Sequence, residues 1–253
     1  ITYYRCLFNS GRDKWQVDLI KTYHDQMKRI GFILIGLLYI TNVFSQGKTH
    51  NFLIGYGATL DSFVTHSYGR IFFDSISVNV IGEHRKMPFA TTQANISDEN
   101  GNLLIASNGC WIADASGDTM QNGSGLNPNS FTTDWCKVLP IGLPLSHGNI
   151  ILPYPGNPNM YILFHQTGNY NNNLISTELY YSEIDLSLNN GLGAVTAKNQ
   201  VLLNDNLVWG LAACKHANGK DWWIVALKDM TTVIHKFLLD SSGITYMGNQ
   251  NLG

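Results

Sequence analysis

The chain has 253 residues, with 16 basic and 18 acidic side chains and a net charge of −2 at pH 7. After residue 45 no basic run is longer than Arg85-Lys86, which excludes the charge pattern of a nucleic-acid-binding protein. The abundance of Gly, Asn, Tyr and Trp, with little Glu or Lys, favours short strands joined by tight turns over helices.

Residues 27–45 have the three-part pattern of a secretory signal peptide. Lys28 and Arg29 follow Met27, an uncharged apolar run occupies 30–40, and a cleavage pattern precedes Gln46. A transmembrane helix needs about 20 apolar residues, so this run is too short to span a membrane, and a buried core helix is the alternative. The pattern predicts export to the extracellular space or outer cell surface, with the periplasm in transit.

Residues 1–26 have no sustained periodicity and no initiating methionine. This indicates a non-native or upstream extension, and a genuine N-terminal extension is the alternative. Residues 46–253 then form the exported protein, which has the size of one domain. That region carries 10 basic and 15 acidic residues and no second apolar stretch of membrane-spanning length, so we expect no transmembrane anchor.

Three segments of this region repeat the order strand, tight turn, strand. We predict antiparallel hairpins over 91–107, 149–165 and 211–227, with turns at 98–101, 154–158 and 217–220. Asn-Gly in a short connection is a strong hairpin signal, because such turns need positive φ. The residues predicted to hold the turns are Asn100, Gly101, Gly156, Asn157, His216, Asn218, Gly219 and Asp221.

Further strands extend these hairpins into larger units. The third unit continues through 231–239 and 244–247, which gives four strands in about 40 residues, the size of one propeller blade. The second unit continues through 179–186 and 200–203, the first continues less clearly through 110–113, and a poorer unit covers 52–80. The repeats predict an all-β, β-propeller-like fold of four-stranded antiparallel blades over 46–253, and a β-sandwich is the alternative.

The number of predicted units also indicates whether the propeller is complete. Propellers close with about four to eight blades, whereas three to four units are visible here and the chain stops in a turn at Gly253. We therefore expect an incomplete propeller, with downstream domains of a longer chain missing. An open strand edge presents unpaired N–H and C=O groups, so we also expect self-association of residues 46–253.

Five segments in order resemble the N-terminal propeller-like region of a family of large secreted bacterial proteins. They are DENGNLL (98–104), SNGCWIA (107–113), PGNPNMY (155–161), IDLSLNNGLG (184–193) and KHANGKDWW (215–223). Many members of that family end in a type IX secretion sorting domain or a gliding-motility-associated C-terminal domain. The resemblance covers roughly 51–253 and implies type IX export and a cell-surface role, without an assigned molecular function.

Three cysteines follow residue 45, an odd number for an exported protein. Cys110 and Cys136 lie 26 residues apart, each beside a tryptophan, and we predict a structural disulfide between them. Cys214 lies in an apolar strand pattern, so we predict a buried, inert thiol.

Catalytic and metal-binding motifs are weak in this sequence. His216 and Asp221 flank an Asn-Gly turn, and a structural role in closing the hairpin is favoured over acid–base chemistry. The spacing of Asp98, Asn100 and Asn102 resembles the start of a calcium loop, but the later bidentate Glu is missing and a plain turn is favoured. No catalytic residue, metal or other cofactor is therefore predicted.

Two function classes remain open. The first is a non-enzymatic binding or scaffold module that presents propeller loops to a surface protein or glycan. The second is a glycan-directed hydrolase or lyase on the same scaffold. Trp222 and Trp223 are candidates for stacking on a ligand, and strand alternation predicts that they lie on opposite faces. Carboxylates that converge with a histidine would favour the enzyme, and turn-bound acids would favour the binder.

Overall fold

The structure, a computed structural model, describes residues 51–55, 68–73, 76–83, 85–138 and 141–253. The predicted signal peptide and the extension before it lie outside these residues. Within the described part, fourteen strands and one α-helix confirm the all-β class.

The first strands form a separate antiparallel sheet of three. It contains β1 (Asn51–Ile54), β2 (Tyr68–Phe73) and β3 (Val78–Glu83) in that order. The guanidinium of Arg85, which follows β3, lies over the ring of Phe89 at 5.0 Å and donates a hydrogen bond to the carbonyl oxygen of Ile54. This cation–π contact and hydrogen bond fix the chain as it leaves the small sheet.

The next four strands form the first meander, an antiparallel unit in sequence order. They are β4 (Ala94–Ser97), β5 (Leu103–Ser107), β6 (Trp111–Ala113) and β7 (Thr119–Ser124). The hairpin predicted over 91–107 is confirmed, and the weakly predicted continuation at 110–113 is a strand.

The second meander repeats this arrangement. It contains β8 (Asn149–Pro153), β9 (Met160–Gln166), β10 (Ser176–Asp185) and the first half of β11 (Ala194–Lys215). Short 3-10 turns cover Tyr170–Asn172 and Asn189–Gly191. The hairpin predicted over 149–165 is confirmed.

The third meander begins with the second half of β11. It continues with β12 (Trp222–Lys228), β13 (Val233–Asp240) and β14 (Gly243–Asn251), all antiparallel. The hairpin predicted over 211–227 is confirmed.

The long strand β11 belongs to two meanders, which the sequence did not predict. Its residues pair with β10 as far as Leu207 and with β12 from Leu207 onward, and the register with β12 shifts between Leu207 and Leu211. Gly210 lies in this step with φ of 123°, a conformation that a side chain would strain. Two strands were predicted, at 200–203 and 211–216, and the glycine bend lets one strand cover both.

A nine-residue helix, α1 (Ser130–Val138), was also not predicted. Asn129 caps it, because its side-chain oxygen accepts a hydrogen bond from the N–H of Thr132 at 2.9 Å. Phe131 is buried and packs in a small core with Leu143 and Leu145. The Gly- and Asn-rich composition favoured turns, so the sequence did not predict this helix.

The three meanders stack face to face. One buried cluster joins the first and second meanders and contains Ile105 and Leu163, and another joins the second and third and contains Phe164 and Phe237. Neighbouring residues of β9 therefore enter different cores, as period-two alternation requires. Full burial of such a side chain contributes about 1.5–3 kcal/mol, so these two cores hold the meanders together.

All three meanders belong to one eleven-stranded sheet, whose eight-strand path from β4 to β14 is barrel-like and nearly closed. A parallel pair, Ala194 with Gln121, links β11 to β7. The last strands of the first and second meanders therefore run in the same direction, so corresponding connections of these two meanders lie at the same end. The third meander is joined to the second through β11.

The molecule consequently has two different ends. We call the end with the β4–β5, β6–β7, β8–β9, β10–β11, β11–β12 and β13–β14 connections the turn end, since most of these connections are short. The opposite end, which we call the loop end, carries the segments 108–110, 125–148, 167–175, 205–210 and 229–232.

Candidate functional site

Acidic side chains at the turn end are bound to their own turns. Asp185 accepts hydrogen bonds from the N–H and the hydroxyl of Ser187, at 2.8 and 2.6 Å. Asp114 with Ser116 and Asp240 with Ser242 repeat this arrangement at the same connection of the other two meanders. Hydrogen bonds from the serine lower the pKa of both Asp185 and Asp240. These carboxylates are structural parts of the turns.

The segment from Asp98 to Asn102, whose spacing resembles the start of a calcium loop, forms a hydrogen-bonded turn. Asp98 accepts hydrogen bonds from the N–H groups of Asn100 and Asn102 and from the side chain of Asn102. Burial raises the pKa of Asp98, but the hydrogen bonds outweigh it and the net pKa is lowered. Gly101 has φ of 82°, the positive value that the prediction required.

The other two predicted turns are built in the same way. Gly156 has φ of 82° and Gly219 has φ of 72°. The side chain of Asn157 accepts a hydrogen bond from the N–H of Asn159. These residues serve the hairpins, as predicted.

Asn218 organises the turn between His216 and Asp221. Its side-chain oxygen accepts hydrogen bonds from the N–H groups of Lys220 and Asp221, and its amide donates to the Asp221 carboxylate at 2.5 Å. Its own N–H donates to Nδ1 of His216 at 3.1 Å. His216 and Asp221 thus each bond Asn218 in closing the hairpin.

The two tryptophans proposed for ligand stacking also lie near this turn. Trp222 donates from its indole nitrogen to the Pro153 carbonyl oxygen at 3.2 Å, and the Lys215 ammonium lies 3.9 Å from its ring centroid. Trp222 packs on the core shared with the second meander, whereas Trp223 lies on the opposite face beside His216. Trp222 is therefore engaged in contacts within the protein, whereas ligand stacking on Trp223 stays a prediction.

The predicted disulfide is confirmed and lies at the loop end. Cys110 and Cys136 are bonded, with their Cα atoms 5.8 Å apart. The bond ties helix α1 to the connection between β5 and β6, and the Trp135 indole donates to the Gly142 carbonyl oxygen at 2.7 Å beside it. The prediction for Cys214 was wrong: its thiol is exposed, because β11 turns Leu211 inward and alternation turns Cys214 outward.

A buried histidine, His165, connects a loop-end segment to the strands of the second meander. His165 is fully buried, and its Nδ1 lies 2.7 Å from the side-chain oxygen of Asn127. Because that oxygen only accepts, Nδ1 carries the proton, and Nε2 accepts from the Ser182 hydroxyl at 2.9 Å. Burial lowers the pKa of His165 to about 3, so the imidazole is neutral at physiological pH.

Loops converge above this histidine around Gln166. The side-chain oxygen of Gln166 accepts from the N–H of Gly210 at 3.1 Å, and its amide nitrogen has no hydrogen-bond partner among the described residues. His147 and Leu174, in two of the loop-end segments, have positive φ of 55° and 67°. Such a backbone costs about 1–3 kcal/mol for each non-glycine residue and is typical of functional loops. The Trp209 indole donates a hydrogen bond to the Leu174 carbonyl oxygen at 2.8 Å, which joins the segments 205–210 and 167–175.

A second polar network at the loop end crosses four strand segments. Asp205 of β11 accepts hydrogen bonds from the Lys228 ammonium at 2.8 and 2.9 Å and from Nε2 of His235 at 3.0 Å. Nδ1 of His235 lies 2.9 Å from the Tyr246 hydroxyl. Burial raises the pKa of Asp205, but hydrogen bonds from Lys228, from the N–H of Asn206 and from His235 outweigh it, so the net pKa is lowered.

Sequence reasoning did not find this network. Its members, Asp205, Lys228, His235 and Tyr246, lie between 7 and 41 residues apart in the sequence, and only the register of β11 to β14 brings them together. A histidine in an alternating strand pattern was the one available signal, and it does not identify a partner.

Two surface depressions lie away from these networks. One, of about 390 Å³, is lined by Arg85, Lys86, Ser116 and Gly117. Both of its cations are engaged, since Arg85 pairs with Glu83 and Lys86 pairs with Asp118. The other, of about 260 Å³, lies beside the disulfide and is smaller than the roughly 300–1,000 Å³ of ordinary ligand pockets.

Comparisons with protein-family models, with curated proteins and with solved structures give no match for this chain. In the part of the chain that the structure describes, no helix has the length and hydropathy needed to cross a membrane. Within the same residues, no group of three or more His, Cys, Asp or Glu side chains is placed to hold a metal ion.

Proposed function

We propose that the chain is an exported, β-propeller-like module that binds a surface protein or glycan through its loop end, without catalysis in that role. The difference between the two ends carries this proposal. At the turn end the carboxylates accept hydrogen bonds from their own turns, and the residues are Asp98, Asp114, Asp185 and Asp240. At the loop end the buried amide nitrogen of Gln166 has no hydrogen-bond partner among the described residues, and the backbone of His147 and Leu174 is strained, as expected where a ligand is bound.

The stacking of the meanders supports the propeller-like architecture. Each meander has four antiparallel strands, and β9 is buried on both faces between its neighbours. The first strands β4 and β8 lie beside each other, as the inner strands of neighbouring blades would. A β-sandwich would bury one face of each sheet and leave the other to solvent, which fits the second meander less well.

Export is supported by the disulfide. Such bonds persist in oxidising compartments and are rare in the cytosol, and the Cys110–Cys136 bond is present here. The signal peptide at 27–45 and the link to type IX secretion, which rests on the family resemblance, remain proposals.

The experiment compares the two ends directly. The full chain is screened on an array of defined glycans, and then Trp209→Ala at the loop end is compared with Trp223→Ala at the turn end. Thermal unfolding first verifies that each variant is folded. We expect Trp209→Ala to abolish binding and Trp223→Ala to preserve it.

The opposite result would move the binding site to the turn end and support the stacking prediction for Trp223. If no glycan binds, the same two variants are compared in crosslinking to the intact cell surface, which tests the protein-ligand form of the proposal. Equal surface crosslinking by both variants and the unmodified chain would contradict a loop-end site.

A further inference from the structure

We propose that Tyr246 is a nucleophile toward carboxylic esters, with His235 as its base and Asp205 as the residue that positions His235. This activity is separate from the binding role proposed above. The three side chains come from β11, β13 and β14, and the hydrogen bonds between them run in one line from carboxylate to imidazole to phenol.

The exposure of the three groups suits this chemistry. Tyr246 is 46% exposed, whereas the side chain of His235 is only 5% exposed and that of Asp205 is 20% exposed. The phenol is therefore accessible to a substrate while its base is shielded. The Tyr246 ring also packs against Phe237, with the ring centroids 5.2 Å apart, which holds the hydroxyl near the imidazole.

The hydrogen bonds fix the tautomer of the histidine. A carboxylate only accepts, so Nε2 of His235 carries the proton that it shares with Asp205 at 3.0 Å. In the neutral ring Nδ1 is then the acceptor, and the Tyr246 hydroxyl donates to it at 2.9 Å. The proton of the phenol thus already lies along the path to its base.

The charges around the histidine favour transfer of that proton. The titratable groups that contact His235 are the Asp205 carboxylate from β11 and the Tyr246 phenol from β14, and the Lys228 ammonium from β12 reaches it through Asp205. Lys228 holds the carboxylate in place. When His235 takes the phenol proton, Asp205 stabilises the resulting imidazolium at hydrogen-bond distance.

The reaction balances without a metal or redox partner. The Tyr246 oxygen attacks the ester carbonyl carbon as its proton passes to Nδ1 of His235. The tetrahedral intermediate expels the alcohol oxygen, which takes the proton from His235, and the acyl group stays on Tyr246. Water, deprotonated by His235, then releases the acid and restores the phenol, so one ester and one water give one acid and one alcohol.

The test uses p-nitrophenyl acetate and the full chain. Release of p-nitrophenol is followed by absorbance, and the acylated peptide is identified by mass spectrometry after a quench. Tyr170 is the matched control, because it is 51% exposed and lies in the 3-10 turn Tyr170–Asn172, outside the Asp205–His235 network. General-base assistance contributes about 10²–10⁴-fold, so we expect Tyr246 to be acylated at least about 100-fold faster than Tyr170.

Two variants separate catalysis from structure. Tyr246→Phe keeps the ring and should abolish the fast acylation, whereas Tyr170→Phe should leave it unchanged. Asp205→Asn should lower the acylation rate and shift its pH profile, a readout that a merely structural contact would not move. Equal acylation of Tyr246 and Tyr170, or an unchanged rate and pH profile in folded Asp205→Asn, would overturn the proposal.

Discussion

The turn end and the loop end of the same meanders are held together by different kinds of interaction. At the turn end the carboxylates of Asp98, Asp114, Asp185 and Asp240 accept hydrogen bonds from residues within a few positions of their own, as Asp185 does from Ser187. At the loop end the bonds join residues far apart in the chain, as His165 joins Asn127 at a separation of 38 residues. Local bonds make a turn independent of its surroundings. Long-range bonds make the loop end depend on the whole fold, and this is where a site can be assembled.

The largest expected effect comes from removing the disulfide of the loop end. Replacing both Cys110 and Cys136 with serine should destabilise the fold by about 3–4 kcal/mol, because the bond closes a long loop in the unfolded chain. Denaturant unfolding measures the change in the free energy of unfolding. Cys214→Ser is the control, and its exposed side chain should change stability by less than about 0.5 kcal/mol. Equal effects of the two changes would mean that the bond does not secure the loop end.

The second prediction concerns acid sensitivity at the loop end. The folded-state pKa of His165 is about 3 and lies below the unfolded value, so protons bind preferentially to the unfolded chain. Stability from this group is complete above the unfolded pKa and is lost as pH falls from about 6.5 toward about 3, at up to roughly 1.4 kcal/mol per pH unit. His165→Gln should remove this slope, and His147→Gln, an exposed histidine of the same end, should retain it. The measurement is the free energy of unfolding as a function of pH for the unmodified chain and the two variants. Identical slopes in all three proteins would exclude His165 as the cause of the acid sensitivity.

The third prediction tests the turn end. Gly219→Val should destabilise by roughly 1–3 kcal/mol, because Gly219 has φ of 72°. A Cβ added at Gly219 meets no atom within 4 Å. The cost is thus one of backbone conformation alone. Ala217→Val, in the same exposed turn, should be near neutral in thermal unfolding. A neutral Gly219→Val would show that the turn adapts and is not held at positive φ.

The smallest expected effect also lies at the turn end. Asp98→Ala removes the acceptor for the N–H groups of Asn100 and Asn102 and should cost roughly 0.5–1.5 kcal/mol. Asp98→Asn keeps an acceptor oxygen and should cost less. The pKa of Asp98 is lowered in the folded state, so its contribution is present above the unfolded pKa and is lost as pH falls through the folded pKa. Urea unfolding of both variants at neutral pH measures the difference, and an equal loss in both would show that the charge matters more than the acceptor.

Features that depend on local sequence were predicted well. The three hairpins, the positive φ of Gly101 and the turn role of Asp98 follow from residues within a few positions of one another. The Cys110–Cys136 bond was also predicted, since each cysteine stands beside a tryptophan in a chain that the sequence predicts to be exported. Helix α1 was missed because its Asn129 cap resembles the surrounding turn residues.

By itself the sequence determined the all-β class, the hairpins, their turns and the disulfide, because strand alternation and turn chemistry act over a few residues. Only the tertiary structure decided the exposed position of Cys214, the continuity of β11 across two meanders and the line from Asp205 through His235 to Tyr246. Those features depend on strand register and on which face a neighbouring meander covers. A shift of one residue in register turns every side chain of a strand to the other face.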